Sequence, residues 1–221
     1  MQGPLEWGLM PHRSLALTGA LLFGVALSAQ SAIVHSFDTD APGTLPSGFV
    51  VAAFRQAAPG SWAVIASGPQ HYLAHSAGRQ DGWTLAIDSG QRWNGVVLSA
   101  RLRLAGGARA GGLVWRYQDP TNFRAVLLDL VNHKITGYRI SGGNRFTFDG
   151  EDGLELDAEA WHTVKVVQES DEVTVSLGGI RVFRDADRRG ARNRDGLVGV
   201  LAAGDADVWV DDLRIGPLRR R

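Results

Sequence analysis

The chain has 221 residues, 44% hydrophobic and 21% charged, the make-up of a globular protein with a substantial core and not of a disordered one. Lys plus Arg number 23 and so do Asp plus Glu, so no charge excess steers the molecule towards nucleic acid or an acidic membrane surface. Twenty-eight glycines against eight prolines suit short strands joined by tight turns, and the absence of cysteine excludes disulfides, a thiol nucleophile, a lipidated cysteine and cysteine-ligated zinc.

Residues 1–32 read as a secretory signal peptide. Arg13 precedes the apolar run "LALTGALLFGVALSA" (15–29), and the small residues of "SAQSA" (28–32) mark a cleavage zone between Ser28 and Ala32. The acidic residue in "MQGPLEWGL" lies ahead of the charged region, which places the expected translation start at Met10. No stable membrane span is expected once the leader is removed. One domain then runs from 33 to 216, followed by a basic tail, 217–221.

Within that domain strand-length apolar or alternating runs follow one another: "SWAVIAS" (61–67), "WTLAID" (83–88), "GVVLSARLRL" (95–104), "GGLVWRY" (111–117), "FRAVLLDL" (123–130), "KITGYRI" (134–140), "WHTVKVV" (161–167), "EVTVSLGG" (172–179), "GLVGVLAA" (196–203) and "ADVWVDDLRI" (206–215). Turn residues separate them, so the expected fold is an all-β, antiparallel two-sheet β-sandwich. Gly178-Gly179 predicts a two-residue primed hairpin turn, and Asp119-Pro120-Thr121-Asn122 a second hairpin. "RDADRRGARNRD" (184–195) has no apolar stripe and reads as a solvated loop.

Three sets of residues could carry chemistry. Glu155, Asp157 and Glu159 spell E-x-D-x-E; on a strand they would share one face, as the nucleophile, orienting group and acid/base of a retaining glycosidase do. Asp149, Glu151 and Asp152, with Gly150 and Gly153, favour a solvated approach to the following strand instead. Trp62, Trp83 and Trp93, at strand edges, together with Arg116, Tyr138 and Arg139, are the candidate ligand-binding residues, while Trp161 and Trp209 are assigned to the core. By alternation Arg116 should lie opposite Trp115 and Tyr117, and a buried arginine needs an acidic partner. Asp38, Asp40, Asp211 and Asp212 could bind calcium where the first and last strands meet, or could be edge-strand acids; no cofactor is otherwise required. His71 and His75 would stand about 13 Å apart on a strand and could not share an ion.

In order, "FDTDAPGTLPSGF", "GSWAVIASGPQHYLAHS", "AGGLVWRYQDPTNFRAVLL", "AWHTVKVVQESDEVTVSLGGIRVF" and "DGLVGVLAAGDADVWVDDLRI" resemble the motif blocks of exported bacterial concanavalin A-like (laminin-G-like) jelly-roll domains, which are related to family 16 glycoside hydrolases and to 3-keto-disaccharide hydrolases. The resemblance implies a jelly-roll sandwich, secreted or periplasmic, that binds a carbohydrate or cell-surface glycan without catalysis. Two alternatives stay open: a glycoside hydrolase or 3-keto-disaccharide hydrolase, and a structural or protein-binding envelope module. A shared sandwich by itself transfers no reaction.

Overall fold

A computed structural model describes residues 31–55, 61–76, 82–186 and 195–218. The expected leader as far as residue 30, the core of the charged segment 184–195 and the last three residues lie outside them. Fifteen strands follow in chain order: β1 (Ile33–His35), β2 (Phe49–Phe54), β3 (Ser61–Ser67), β4 (Gln70–Ser76), β5 (Trp83–Asn94), β6 (Val96–Gly106), β7 (Ala110–Asp119), β8 (Asn122–Asp129), β9 (Lys134–Ser141), β10 (Asn144–Glu151), β11 (His162–Glu169), β12 (Glu172–Leu177), β13 (Ile180–Ala186), β14 (Asp195–Ala203) and β15 (Ala206–Gly216). No described residue is helical, so none belongs to a helix long and apolar enough to cross a membrane.

The strands form two antiparallel sheets. The first runs β13-β12-β11-β6-β15-β4-β3, with β1 also paired to β15; the second runs β10-β9-β8-β7-β14-β5-β2. Side chains of period two explain the layering. On β6, Leu98, Ala100, Leu102 and Leu104 point inward while Ser99, Arg101 and Arg103 point out, and β11 contributes Val164 and Val166 to the same layer. The second sheet is apolar on both faces: Leu113, Val126, Val198 and Val200 fill the space between the sheets, whereas Leu85, Ile87, Val114, Ala125 and Leu201 form a second cluster on its other face. That is why β8 and β14 read as continuous apolar runs while β6 and β11 alternate.

Both hairpin expectations hold. Gly178 and Gly179 take φ of +58° and +86° between β12 and β13, the left-handed pair a primed turn needs. Asp119 pairs with Asn122 across the Pro120-Thr121 turn, where its carboxylate accepts from the Thr121 N–H at 2.7 Å and the Thr121 hydroxyl at 2.6 Å. Beyond the ten strand-like runs and the β13 arm of the Gly178-Gly179 hairpin, the structure adds four strands: the short β1, the apolar β2, β4 and the polar, bulged β10. Residues 184–186, read as loop, close β13.

One expectation about facing is corrected. Trp115 and Tyr117 should share a face, yet Trp115 lies between the sheets and Tyr117 on the opposite side of the second sheet. A bulge intervenes, since β14 pairs Leu197 with Tyr117 but Gly199 with Val114, and Arg116 takes φ of +51°. Gly196 makes room for it: a Cβ there would lie 2.4 Å from the Arg116 Cα.

Candidate functional site

The expected binding tryptophans belong to the core. Trp62 (4% exposed) and Trp93 (2%) pack between the sheets, Trp62 against the His75 ring at 5.1 Å. Trp93 is no edge residue because β5 continues to Asn94, well past the predicted end at Asp88. Trp83 (4% exposed) lies on the far face of the second sheet with Phe54 (5.4 Å), Tyr138 (5.3 Å) and the Arg145 guanidinium (5.6 Å), so two of the predicted residues, Trp83 and Tyr138, do meet. Arg139 points the other way and covers the Phe146 ring at 4.8 Å. Buried Arg116 reaches across the sandwich and donates to the Ser170 carbonyl in the β11–β12 turn. Nearby, Trp115 donates to Gln168 Oε1 at 2.8 Å, and the Gln168 amide donates to the Glu172 carbonyl at 2.8 Å, which ties the two sheets with polar bonds.

Glu155, Asp157 and Glu159 do not lie on a strand. They occupy the connection between β10 and β11, where Leu154 and Leu156 turn towards the core and all three acids are exposed. The chain turns at 157–160: the Asp157 carboxylate accepts from the Glu159 N–H at 2.9 Å, and the Asp157 carbonyl contacts His162 Nε2 at 2.8 Å. The three acids thus project from an irregular, solvent-exposed connection and not from a strand of either sheet.

A different constellation assembles on the outer face of the first sheet, and it gathers residues that the sequence keeps far apart. The half-buried Trp161, just before β11, meets the Tyr72 ring from β4 at 5.1 Å. Arg101 from β6 places its guanidinium 5.0 Å from the Trp161 ring centroid, with Nη1 3.2 Å from the Asp211 carboxylate and 3.6 Å from that of Asp212. One register step along, Arg103 lies 4.6 Å from the Trp209 centroid and 3.4 Å from the Glu159 carboxylate. Arg214 holds the other side of Asp212 at 2.8 Å. Trp209 faces outward because its neighbours Val208 and Val210 face inward, and Trp161 precedes the alternation of β11; the assignment of both to the core is therefore corrected.

The electrostatics follow from this crowding. Burial pushes the Asp211 carboxyl above its ordinary range; the Asp212 N–H opposes that, the Asp212 charge adds to it, Arg101 pulls it back and Asp38 pushes it up again. A β15 bulge between Asp211 and Arg214, with Asp212 at φ of +49°, turns both carboxylates onto the same cation. The four aspartates named as candidate calcium ligands take different partners. Arg101 and Arg214 already occupy the Asp211 and Asp212 carboxylates, Asp38 caps the His71 N–H at 3.1 Å, and Asp40 offers His71 only its carbonyl. Among the described residues no three His, Asp or Glu side chains are grouped so as to hold a metal ion.

The sequence carried one signal for this face, which alternation could have revealed. In "VVLSARLRL" and "ADVWVDDL" the arginines and the tryptophan occupy the positions between inward-facing aliphatics. That β15 would lie beside β6 was not visible, and neither was the approach of Tyr72 to Trp161.

No protein-family model matches the chain, and no curated protein matches it in sequence. Solved structures do share its fold. The carbohydrate binding module CBM66 from Bacillus subtilis superposes with a TM-score of 0.60 at 15% identity, over 76% of this chain and 94% of that one. A beta-glucanase from Bacillus licheniformis does so with a TM-score of 0.58 at 9% identity, over 86% and 99%. A Bacillus subtilis protein of unknown function with a galectin-like fold gives 0.57 at 13%, over 78% and 90%. The sandwich is thus a concanavalin A-like jelly roll, an architecture shared by carbohydrate-binding and glycan-cleaving proteins.

Proposed function

We propose that the chain is an exported, non-catalytic glycan-binding module whose contact surface is the Tyr72, Trp161, Arg101, Trp209 and Arg103 band. One observation carries this reading: partly open aromatic rings are held in place by guanidinium groups, with carboxylates at their borders. A sugar presents an apolar face of C–H groups and an equator of hydroxyls; rings take the first, while Arg101, Arg103 and the exposed Glu159 carboxylate offer donors and acceptors to the second. Lys and Glu side chains would lose much rotamer freedom on binding, whereas rings and stacked guanidinium groups lose little, so the face is pre-organised. The shared architecture with a carbohydrate binding module supports the reading. No ion is needed, because Arg101 supplies the positive charge between the two aspartates.

A glycan array probed with the processed protein tests this, followed by titration calorimetry on any hit. Hits that weaken at least tenfold in Trp161→Ala and Tyr72→Ala, and that survive a calcium chelator, are the expected result. An array with no hits overturns the reading. Turnover of a β-glucan or keto-sugar that disappears in Glu155→Gln overturns its non-catalytic part.

A further inference from the structure

A β-sandwich that is not closed must protect the unpaired backbone at its sheet edges. Three of the four terminal strands do so by recognisable means. On β3, the segment before β2 folds over the edge, with Gly43 N–H donating to the Val64 carbonyl at 2.8 Å and Val64 N–H donating to the Thr44 carbonyl at 2.8 Å. β10 carries Arg145, Asp149 and Glu151 and is bulged between Thr147 and Asp149. β13 carries Arg181, Arg184 and Asp185, and its register against β12 shifts after Val175. The additional strand β1 spans only three residues.

Among the described residues, β2 has none of these devices. Its sequence is FVVAAF, without a charge or a proline, and it pairs with β5 in unbroken register from Phe49–Asp88 to Phe54–Trp83. Val50 is 45% exposed. Among the described residues, the Val50–Phe54 backbone makes no hydrogen bond beyond that ladder.

We infer that β2 is a self-association edge, at which a second copy of this chain adds its own β2 antiparallel to the first. The occupant follows from the chemistry of the strand. A foreign peptide could find hydrogen bonds here but no charged side chain by which β2 would select it. A second copy matches without selection, because a two-fold axis normal to the sheet brings residues of equal parity opposite one another. Centred on Val51, it sets Val50 against Ala52 of the second copy and Phe49 against its Ala53, so no like charges oppose each other. Both apolar faces of the second sheet then continue across the joint, Phe49 and Val51 on the inner side and Ala52 and Phe54 on the outer. The Trp161 face belongs to the other sheet and stays free in both copies, so the pair would be bivalent. The association does not depend on glycan binding.

Sedimentation equilibrium of the processed chain, over a wide concentration range, tests the inference. The wild type is expected to weigh as a dimer, and Val50→Lys, which places a charge on a side chain that is already exposed, is expected to raise the dimer dissociation constant at least tenfold while leaving the circular dichroism spectrum unchanged. Because the chain has no cysteine, Val51→Cys and Ala52→Cys give a second, independent readout: whichever residue lies on the two-fold axis should form an intermolecular disulfide on mild oxidation. A wild type that is monomeric throughout, a Val50→Lys dimer of unchanged strength, or failure of both cysteine variants to cross-link overturns it. A monomer that binds extended peptides along β2 overturns it as well.

Discussion

Replacing Arg101 with Met removes the cation that joins Trp161 to Asp211 and Asp212 while keeping the aliphatic stem over the sheet. The pair is partly exposed, with the Arg101 side chain 38% accessible and that of Asp211 11%, so screening limits its worth to about 0.2–1 kcal/mol, and the ring contact adds about 0.5–1 kcal/mol. A loss of about 1–2 kcal/mol at pH 7 follows, or a melting point lower by a few degrees. The loss should depend on pH. Asp211 has a raised folded-state pKa, so the stability linked to its neutral form is fully present below the unfolded pKa of 3.8 and is lost as pH rises through the folded value. Without Arg101 that rise becomes costlier, because an ionised Asp211 would be partly buried beside Asp212 with its main counter-charge gone. The deficit of Arg101→Met should therefore be largest at neutral pH and shrink towards the ring-contact share near pH 4. Urea titrations of wild type, Arg101→Met, Asp211→Asn and the double variant at both pH values measure it. The same deficit at both, or no coupling in the cycle, would refute the assignment of Arg101 as the charge partner of Asp211.

Two further outcomes are expected elsewhere in the molecule. Gly196→Ala should cost about 2–4 kcal/mol, because the new methyl group would collide with the Arg116 backbone at the bulge, whereas Gly153→Ala, at φ of +71° with open space around it, should cost only about 1 kcal/mol; chemical denaturation compares the two. Burial lowers the pKa of His75 against the opposing effects of its bond to the Ala206 carbonyl and the Asp207 charge. Its contribution is present above the unfolded pKa of 6.5 and is lost as pH falls towards the folded value, so the melting point should drop on mild acidification, and less steeply in His75→Asn.

Much of the sandwich was legible in the sequence because strand formation leaves a local mark. Alternation in "VVLSARLRL", continuous apolar runs in "FRAVLLDL" and paired glycines at a turn each follow from one strand and its two faces. Local pattern failed where neighbours decide. "FVVAAF" is a good strand, but its short length and the loop before it hid it, and "NRFTFDGE" pairs through its backbone despite a polar surface. Trp93 reads as an edge residue until the length of β5 is known.

The candidate residues divide along the same line. Composition and motif order determined the class of fold, the hairpins and which residue types could contact a sugar, because these depend on side-chain chemistry and near-neighbour spacing. Only the tertiary structure decided which aromatics are available. Burial takes Trp62 and Trp93 away from solvent, the three acids fall on an exposed connection outside both sheets, and strand order lays β15 between β6 and β4 so that Arg101, Asp211, Trp161 and Tyr72 meet. Strand partners more than a hundred residues apart are chosen by which faces can be buried together, and that is a property of the folded chain as a whole.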